Sequence, residues 1–284
     1  IKGKTIAAAC FVLLLIAALT ACGNQTESKD SSSKSKSEET ITYKAENGTV
    51  KVPKHPKRVV VMADDYFGYF KTLGLNVVGA PDRVFKNPYF KGKTDGVTNI
   101  GEGNSAEKVI QLKPDLIVVW TTQGADIEKL EKIAPTVALK YDSLNSTERL
   151  KDFAKMTGTE DQAEKWLAEW DKKVAAAKSK VQKAVGNKTV SIMQTNGKEI
   201  FVFGDQFGRG GSIVYQDLGL KATKLTKEKA IDEGPGYTSI SLEKLPDFAG
   251  DYIFIGPWES SGDDSAVLNT SIWKNLGAVK NQHV

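Results

Sequence analysis

The sequence predicts an α/β fold of two Rossmann-like α/β lobes joined by one long α-helix. Three observations predict it. Apolar, strand-like runs alternate with short helical stretches between residues 58 and 139. A single unbroken helical pattern then occupies residues 159–185. Strand–helix alternation resumes at Thr189 and continues to Leu276. Such alternation places helices on the faces of a parallel sheet.

The chain opens with Lys2 and Lys4 ahead of an apolar run, residues 6–18, broken only by Cys10. That run is shorter than the roughly 20 residues a membrane-spanning helix needs, so it reads as a secretory signal. It ends in Leu19-Thr20-Ala21-Cys22, the pattern of a bacterial lipobox, whose cysteine carries diacylglycerol. Residues 1–22 are therefore the expected signal peptide and lipobox. Ile1 in place of Met leads to the expectation that a few signal residues precede it. Once the signal is removed, Cys22 is the one cysteine of the mature chain, so no disulfide and no thiol nucleophile is expected in its body. Residues 23–40 are rich in Ser, Lys, Glu and Asp and hold no large apolar residue. They cannot offset their ordering entropy by burial and form an expected disordered tether.

The body divides into an N-terminal α/β lobe (41–157), a bridging helix (158–187) and a C-terminal α/β lobe (188–284). In the first lobe residues 58–62, 76–79, 116–120 and 136–139 read as buried strands, with helices at 66–73, 106–112 and 126–133. In the bridge, Ala163, Trp166, Leu167, Trp170, Val174, Ala177, Val181 and Val185 recur at spacings of three and four. Thr159 and Gln162 have the spacing of a capping box, and Gly186-Asn187 closes the pattern. A helix of roughly 40 Å is long for one small domain and suits a bridge between two; a long surface helix of a single domain fits the same pattern. In the second lobe residues 189–193, 199–203 and 251–255 read as strands, with helices at 212–218 and 272–276. The halves share a faint repeat. Glu107-Lys108 leads through Pro114-Asp115 to a strand ending at Trp120, and Glu243-Lys244 leads through Pro246-Asp247 to Asp251 and a strand ending near Trp258.

Open α/β sheets bind ligands beyond the carboxyl ends of their strands. The residues there are Asp64, Asp65, Tyr66, Phe67 and Tyr69; Trp120 to Gln123; Phe207 to Gly211 around Arg209; and Trp258-Glu259. Aromatics with one arginine suit a large, partly apolar ligand fixed by few polar contacts. Tyr66, Tyr69 and Phe207 also fit as core aromatics, whereas Trp120 and Trp258, at matching strand ends, favour the cleft. The loop from Gly204 to Ser212 lacks the Lys-Ser/Thr ending of a phosphate loop and presents Arg209 at a helix start.

Several chemistries find no support. The two histidines, His55 and His283, lie in a connector and at the chain end, so direct metal ligation is not expected. Any iron should arrive already wrapped in a chelator. A net charge of +4 without a basic, aromatic-interleaved stripe argues against nucleic acid. Ser241-Leu242-Glu243-Lys244 matches S-x-x-K, but the companion motifs of that nucleophile are absent.

The runs TYKAENGTVKVPKHPKRVVVM, NIGEGNSAEKVIQLKPDLIVVW, GDQFGRGGS and DFAGDYIFIGPW together resemble the iron(III)-hydroxamate (ferrichrome) binding lipoproteins of Gram-positive bacteria, of the siderophore- and cobalamin-type periplasmic-binding-protein family. The resemblance runs from the lipobox to Val284. It implies a class III solute-binding protein without enzymatic activity, holding a ferric hydroxamate siderophore between its lobes. It implies no cofactor, Fe(III) being carried only inside the siderophore. Delivery would be to an ABC importer permease and its ATPase, by a monomer lipid-anchored on the extracytoplasmic face of the cell membrane. Implied siderophore contacts are Arg209 and Phe207, with Trp120, Trp258, Tyr66, Phe201 and Tyr237. Phe207 stands where some relatives carry Trp, and Phe201 where some carry Tyr. Glu107 and Glu243 match the acidic residues that engage permease arginines. Relatives continue past the His283-Val284 end with a strand and a helix, so a truncated C-terminal lobe is expected. Rival readings are a binder of catecholate or citrate-type siderophores, of haem or of cobalamin; an envelope hydrolase; and a structural surface lipoprotein.

The lipobox is directly testable. Radiolabelled palmitate should label the wild-type protein and not Cys22→Ser; equal labelling of both would rule out lipidation at Cys22.

Overall fold

A computed structural model describes residues 39–122, 124–140, 144–258 and 262–284. Cys22 and the rest of the signal peptide, the tether as far as residue 38, Gln123 and Glu259 lie outside them. The expected tether boundary at residue 40 needs correction. The Glu39 carbonyl accepts the Lys54 N–H at 2.8 Å, and Thr40 pairs with Pro53, so both belong to the folded body.

That body opens on a hairpin unforeseen from sequence, β1 (Thr40–Ala45) and β2 (Gly48–Pro53), turning at Glu46-Asn47. Its tip has a second task. The Asn47 side chain donates to the Thr136 carbonyl (2.9 Å) and accepts the Ala138 N–H (3.0 Å), while the Glu46 N–H donates to the Ala138 carbonyl (3.0 Å). These bonds occupy backbone groups of a strand that would otherwise be a bare sheet edge.

The first sheet is wholly parallel: β3 (Val59–Val61), β4 (Val77–Ala80), β5 (Thr98–Asn99), β6 (Leu116–Trp120) and β7 (Thr136–Leu139), in the order β5-β4-β3-β6-β7. Alternate residues feed two different cores. Val59, Val61, Leu116, Val118 and Val137 join one cluster, and Val60, Ile117, Val119 and Ala138 the other. Apolar cover on both faces explains why these strands read as continuous hydrophobic runs.

The chain leaves this sheet through a helix the sequence reading missed, Ser146–Thr157. Its start carries a complete capping box, Asn145 with Glu148. Gly158 ends it at φ +67°, and the long helix Glu160–Val185 begins after a single intervening residue. That tight junction overturns the capping box expected from Thr159 and Gln162. Thr159 is buried, makes no side-chain cap bond, and turns its hydroxyl to that of Thr157 at 2.9 Å. The 26-residue helix extends about 39 Å. Ala163 is buried, and Leu167, Trp170, Val174, Ala177, Val181 and Val185 are half-buried, so the predicted stripe is its packed face except at Trp166, which is exposed. Ala163 and Leu167 join the first core, while Gln182 near the far end donates to the Leu218 carbonyl at 3.2 Å.

The second sheet is mixed, where simple alternation suggested a parallel one. Central β8 (Thr189–Asn196) turns through Gly197-Lys198 into antiparallel β9 (Glu199–Phe203). Gly197, at φ +60°, suits the first position of a tight hairpin turn. β10 (Lys221–Ala222) and β12 (Tyr252–Pro257) pair with β8 in parallel, and β11 (Tyr237–Ile240) pairs antiparallel with β9.

The faint repeat has a structural basis one step away from its predicted register. Asp115, just before β6, accepts the backbone N–H groups of Lys57 (2.6 Å) and Arg58 (2.8 Å) at the start of β3. Asp251, just before β12, accepts the backbone N–H (2.7 Å) and hydroxyl (3.0 Å) of Thr189 at the start of β8. Each aspartate ties its strand to the first strand of its sheet. Asp251 is thus the counterpart of Asp115, and Asp247 is instead a helical residue facing Lys244.

Candidate functional site

Register places the site. Along β9 the residues alternate, and Ile200 and Val202 enter the second core with Met193, Ile240 and Ile253. Phe201 and Phe203 therefore occupy the opposite face. Cross-strand pairing adds Gln194 opposite Phe201 and Tyr237 opposite Phe203 on that face. Trp258, just past β12, donates its backbone N–H to the Thr195 carbonyl at 2.8 Å. The aromatics form one wall, with ring centroids 4.8 Å apart for Phe201–Trp258, 4.6 Å for Phe207–Tyr237 and 6.2 Å for Phe201–Tyr237.

Arg209 lies over this wall. Its guanidinium carbon is 4.8 Å from the Trp258 ring centre and 5.1 Å from that of Phe203, and Nε donates to Gln194 Oε1 at 2.9 Å. Gln194 and the rings thus hold the side chain while most of its N–H donors stay available.

The loop that carries Arg209 is strained. Phe207, Gly208, Arg209 and Gly210 have φ of +63°, +75°, +53° and +81°, four left-handed residues in succession. For the two side-chain-bearing residues that conformation costs about 1–2 kcal/mol each. Such strain persists where the surroundings impose it, and here the backbone does. A Cβ on Gly211 would lie 1.9 Å from the Gly204 carbonyl oxygen, so the loop folds directly onto the end of β9.

The first lobe contributes Tyr66, which packs against Trp120 (4.5 Å) and Phe153 (4.8 Å). The nearly buried Arg149 lies 5.5 Å over the Tyr66 ring and donates to Asp152 at 2.9 Å. Tyr66, Arg149, Asp65, Asp205 and Phe207 line a small cavity of about 100 Å³ between the lobes. Asp65 is held above the usual carboxylate range by desolvation and then by Asp64, while the charge of Arg209 across the cleft, followed by that of Arg83, pulls it back. On the same cavity wall, Asp205 Oδ2 accepts from Gln216 at 3.0 Å, and its buried Oδ1 has no hydrogen-bond partner among the described residues.

The structure therefore brings Phe201, Phe207, Arg209, Tyr237 and Trp258 together and sets Tyr66 across from Phe207. Trp120 needs correction as a cleft residue. Both it and Tyr66 belong to the first core, but Tyr66 lines the cavity, whereas Trp120 does not and acts as backing for the Tyr66 ring. Sequence reasoning missed Arg149, Gln194 and Asp205. Arg149 was within reach, because Asn145-x-x-Glu148 announces the helix that carries it.

Glu107 and Glu243 are not among the residues lining the cavity and have matching surroundings. Each is exposed, two residues after a serine at a helix start, in the repeated pattern Ser-x-Glu-Lys. Glu107 is held below the usual carboxylate range by its own backbone N–H and then by the Ser105 hydroxyl, which donates at 3.0 Å. Glu243 is lowered by the Ser241 hydroxyl and then by its own N–H. Ser241 of the S-x-x-K match is thereby engaged with a carboxylate rather than a base.

Comparison with known proteins matches residues 59–284 to a family model described as periplasmic binding protein. The chain is 78% identical over 281 residues to the iron(3+)-hydroxamate-binding protein FhuD of Bacillus subtilis, covering 99% of this chain and 89% of that protein. Among solved structures, it is similar to a periplasmic binding protein component of a Fep/Fec-like ferrichrome ABC transporter from Bacillus subtilis. That likeness has a TM-score of 0.81 and 80% identity, covering 85% of this chain and 89% of the other. FhuD2 of Staphylococcus aureus with bound ferrioxamine B matches at a TM-score of 0.71 and 34% identity, covering 80% and 87% of the two chains.

The loop strain gives a direct test. Arg209→Gly and Arg209→Ala both remove the guanidinium, but only glycine takes a positive φ without steric cost. In urea unfolding, the glycine variant should be more stable than the alanine variant by about 1 kcal/mol. Equal stabilities would show that the loop relaxes out of the left-handed region.

Proposed function

The chain belongs to the periplasmic binding protein family, and from that premise we propose that it captures a ferric hydroxamate siderophore outside the cytoplasm and presents it to an ABC importer. One observation carries the reading: Arg209, fixed over an aromatic wall with donors to spare. Hydroxamate oxygens around Fe(III) keep partial negative charge while the whole complex is near neutral. A single arginine can donate charge-assisted hydrogen bonds to them without a further countercharge. The aromatic rings cover the apolar backbone of the siderophore at small entropic cost. The iron is cargo wrapped in its chelator, and no bond is made or broken. The 78% identity to an iron(3+)-hydroxamate-binding protein supports the same ligand class.

Lipidated Cys22 would keep the binder at the outer face of the cell membrane, near its permease. Glu107 and Glu243 supply the docking contacts in this reading. Each remains ionised at a helix start, and Arg–carboxylate pairs are geometrically specific even where they add little affinity.

Titration of the purified protein with a ferric hydroxamate should quench tryptophan fluorescence, chiefly through Trp258. Loss of a hydrogen bond to a charged group costs roughly 1.5–3 kcal/mol, so Arg209→Ala should weaken binding about ten- to a hundredfold. An affinity within about threefold of wild type would remove Arg209 from the site. Charge reversal at both Glu107 and Glu243 should abolish siderophore uptake by cells and leave binding in solution intact. Unchanged uptake would exclude them from docking, and lost binding would make them structural.

A further inference from the structure

An arginine alone does not select a neutral ferric complex. Its charge favours the most anionic ligand that fits, and the chain's net charge of +4 acts in the same direction. Ferric complexes of citrate-type or catecholate chelators carry net negative charge, whereas Fe(III) wrapped in three hydroxamates is neutral. Selection of the neutral complex therefore needs a negative charge near Arg209, placed to repel what the arginine attracts.

Asp65 holds that place. It lies in the single helical turn Asp64–Tyr66 that follows β3 in the first lobe. It is exposed, and it lines the small cavity between the lobes together with Phe207 and Gly208 of the second. The Arg209 guanidinium carbon lies 5.9 Å from the centre of the Phe207 ring, so one ring borders the Asp65 cavity and carries the arginine. The charge of Arg209 also reaches Asp65. Desolvation and then Asp64 raise the Asp65 pKa, and Arg209, ahead of Arg83, opposes them and favours the ionised form.

The surroundings leave this carboxylate uncommitted. Its neighbour Asp64 pairs with Arg83 at 3.4 Å. Among the described residues, the Asp65 side chain makes no hydrogen bond and no ion pair. The other charges on the cavity do not offset it. Arg149 is engaged by Asp152 at 2.9 Å, and Asp205 is a second carboxylate. An anionic complex seated at Arg209 would thus meet a like charge on the facing lobe, and like charges brought together across an interface suppress wrong partners.

We propose that Asp65 is the charge-specificity residue of the cleft: it rejects ferric complexes of net negative charge and admits neutral or cationic ones at Arg209. This rests on the ferric hydroxamate reading above.

The test uses ferrioxamine B, its N-acetyl amide and its N-succinyl amide, each as the ferric complex. They share one iron centre and are cationic, neutral and anionic at neutral pH. Each is titrated by calorimetry into the whole protein at low salt. Wild type should bind the acetyl amide about three- to tenfold tighter than the succinyl amide, the reverse of what Arg209 and the net charge alone would give. Comparing that ratio between variants cancels the difference in arm size. Asp65→Asn should abolish or invert the preference, chiefly by tightening the succinyl amide, and Asp65→Glu should keep it. Asp171→Asn, on the exposed side of the long helix, removes the same charge elsewhere and should leave the ratio within about twofold of wild type. Absence of the preference in wild type, its persistence in Asp65→Asn, or its loss in Asp65→Glu or Asp171→Asn would overturn Asp65 as the charge selector and leave the ferric hydroxamate reading standing. Failure of all three ligands to bind wild type would overturn that reading and this proposal with it.

Discussion

A strand has two faces, and in the second sheet the main core takes one while the other, buried at Val190, Ile192 and Phe203, opens toward the cleft at Gln194, Phe201 and Tyr237. This constraint organises the rest of the site. In the first sheet both faces are covered, so alternate residues of β3 and β6 enter two cores. In the second, the hairpin between β8 and β9 makes the sheet mixed, and the second core collects Ile200, Val202 and Ile240 from one face. Phe201, Phe203 and Tyr237 then face the other way, and Gln194 and Trp258 reach them through register alone. The aromatic wall is thus a consequence of how the core is filled. A one-residue slip of β9 would send both phenylalanines into the core and two aliphatic residues into the cleft.

The wall follows from strand register, and the strained loop is fixed by backbone contacts of its own. Holding Phe207 and Arg209 at positive φ is unfavourable, but the close approach of Gly211 to Gly204 leaves the backbone no other path. Cation–π contacts with Trp258 and Phe203, of about 0.5–1 kcal/mol at exposed sites, recover part of that cost. A side chain already confined loses less entropy on binding than a free one, so the strain contributes to affinity through preorganisation.

Most of the fold was legible, because its signals are local. Leu116–Trp120 and Thr136–Leu139 coincide with their predicted runs, since two-sided burial leaves an unbroken apolar string. The long helix was legible from its three-and-four spacing, and the same residues, Trp166 excepted, form its packed face. What escaped depends on partners distant in sequence. The opening hairpin has the weak alternation of a partly exposed ribbon, and its tip is fixed by residues 136–138. The capping box at Thr159 failed because this cap residue between two helices is buried and turns its hydroxyl to that of Thr157, a fact that only tertiary packing reveals. In the site, Arg209 and Phe207 were marked by a glycine-rich loop. Arg149 was hidden on a helix whose cap signal had been overlooked, and Trp120 sits at a strand end that the first core claims for itself.

The two halves share more than architecture. Asp115 and Asp251 each use a carboxylate to tie a strand start to the first strand of the same sheet, and Ser105–Glu107 and Ser241–Glu243 each present a glutamate at a helix start. The carboxylates are kept ionised by local donors, independently of what the cleft contains. Their separation is governed by the long helix, which packs Ala163 and Leu167 on the first core and bonds Leu218 near its far end. A continuous helix tied at both ends resists the large backbone change that a hinge requires. Under the docking role proposed for them, the glutamate pair would offer a nearly fixed spacing, so that a partner reading both would have to match that spacing as well as their charge.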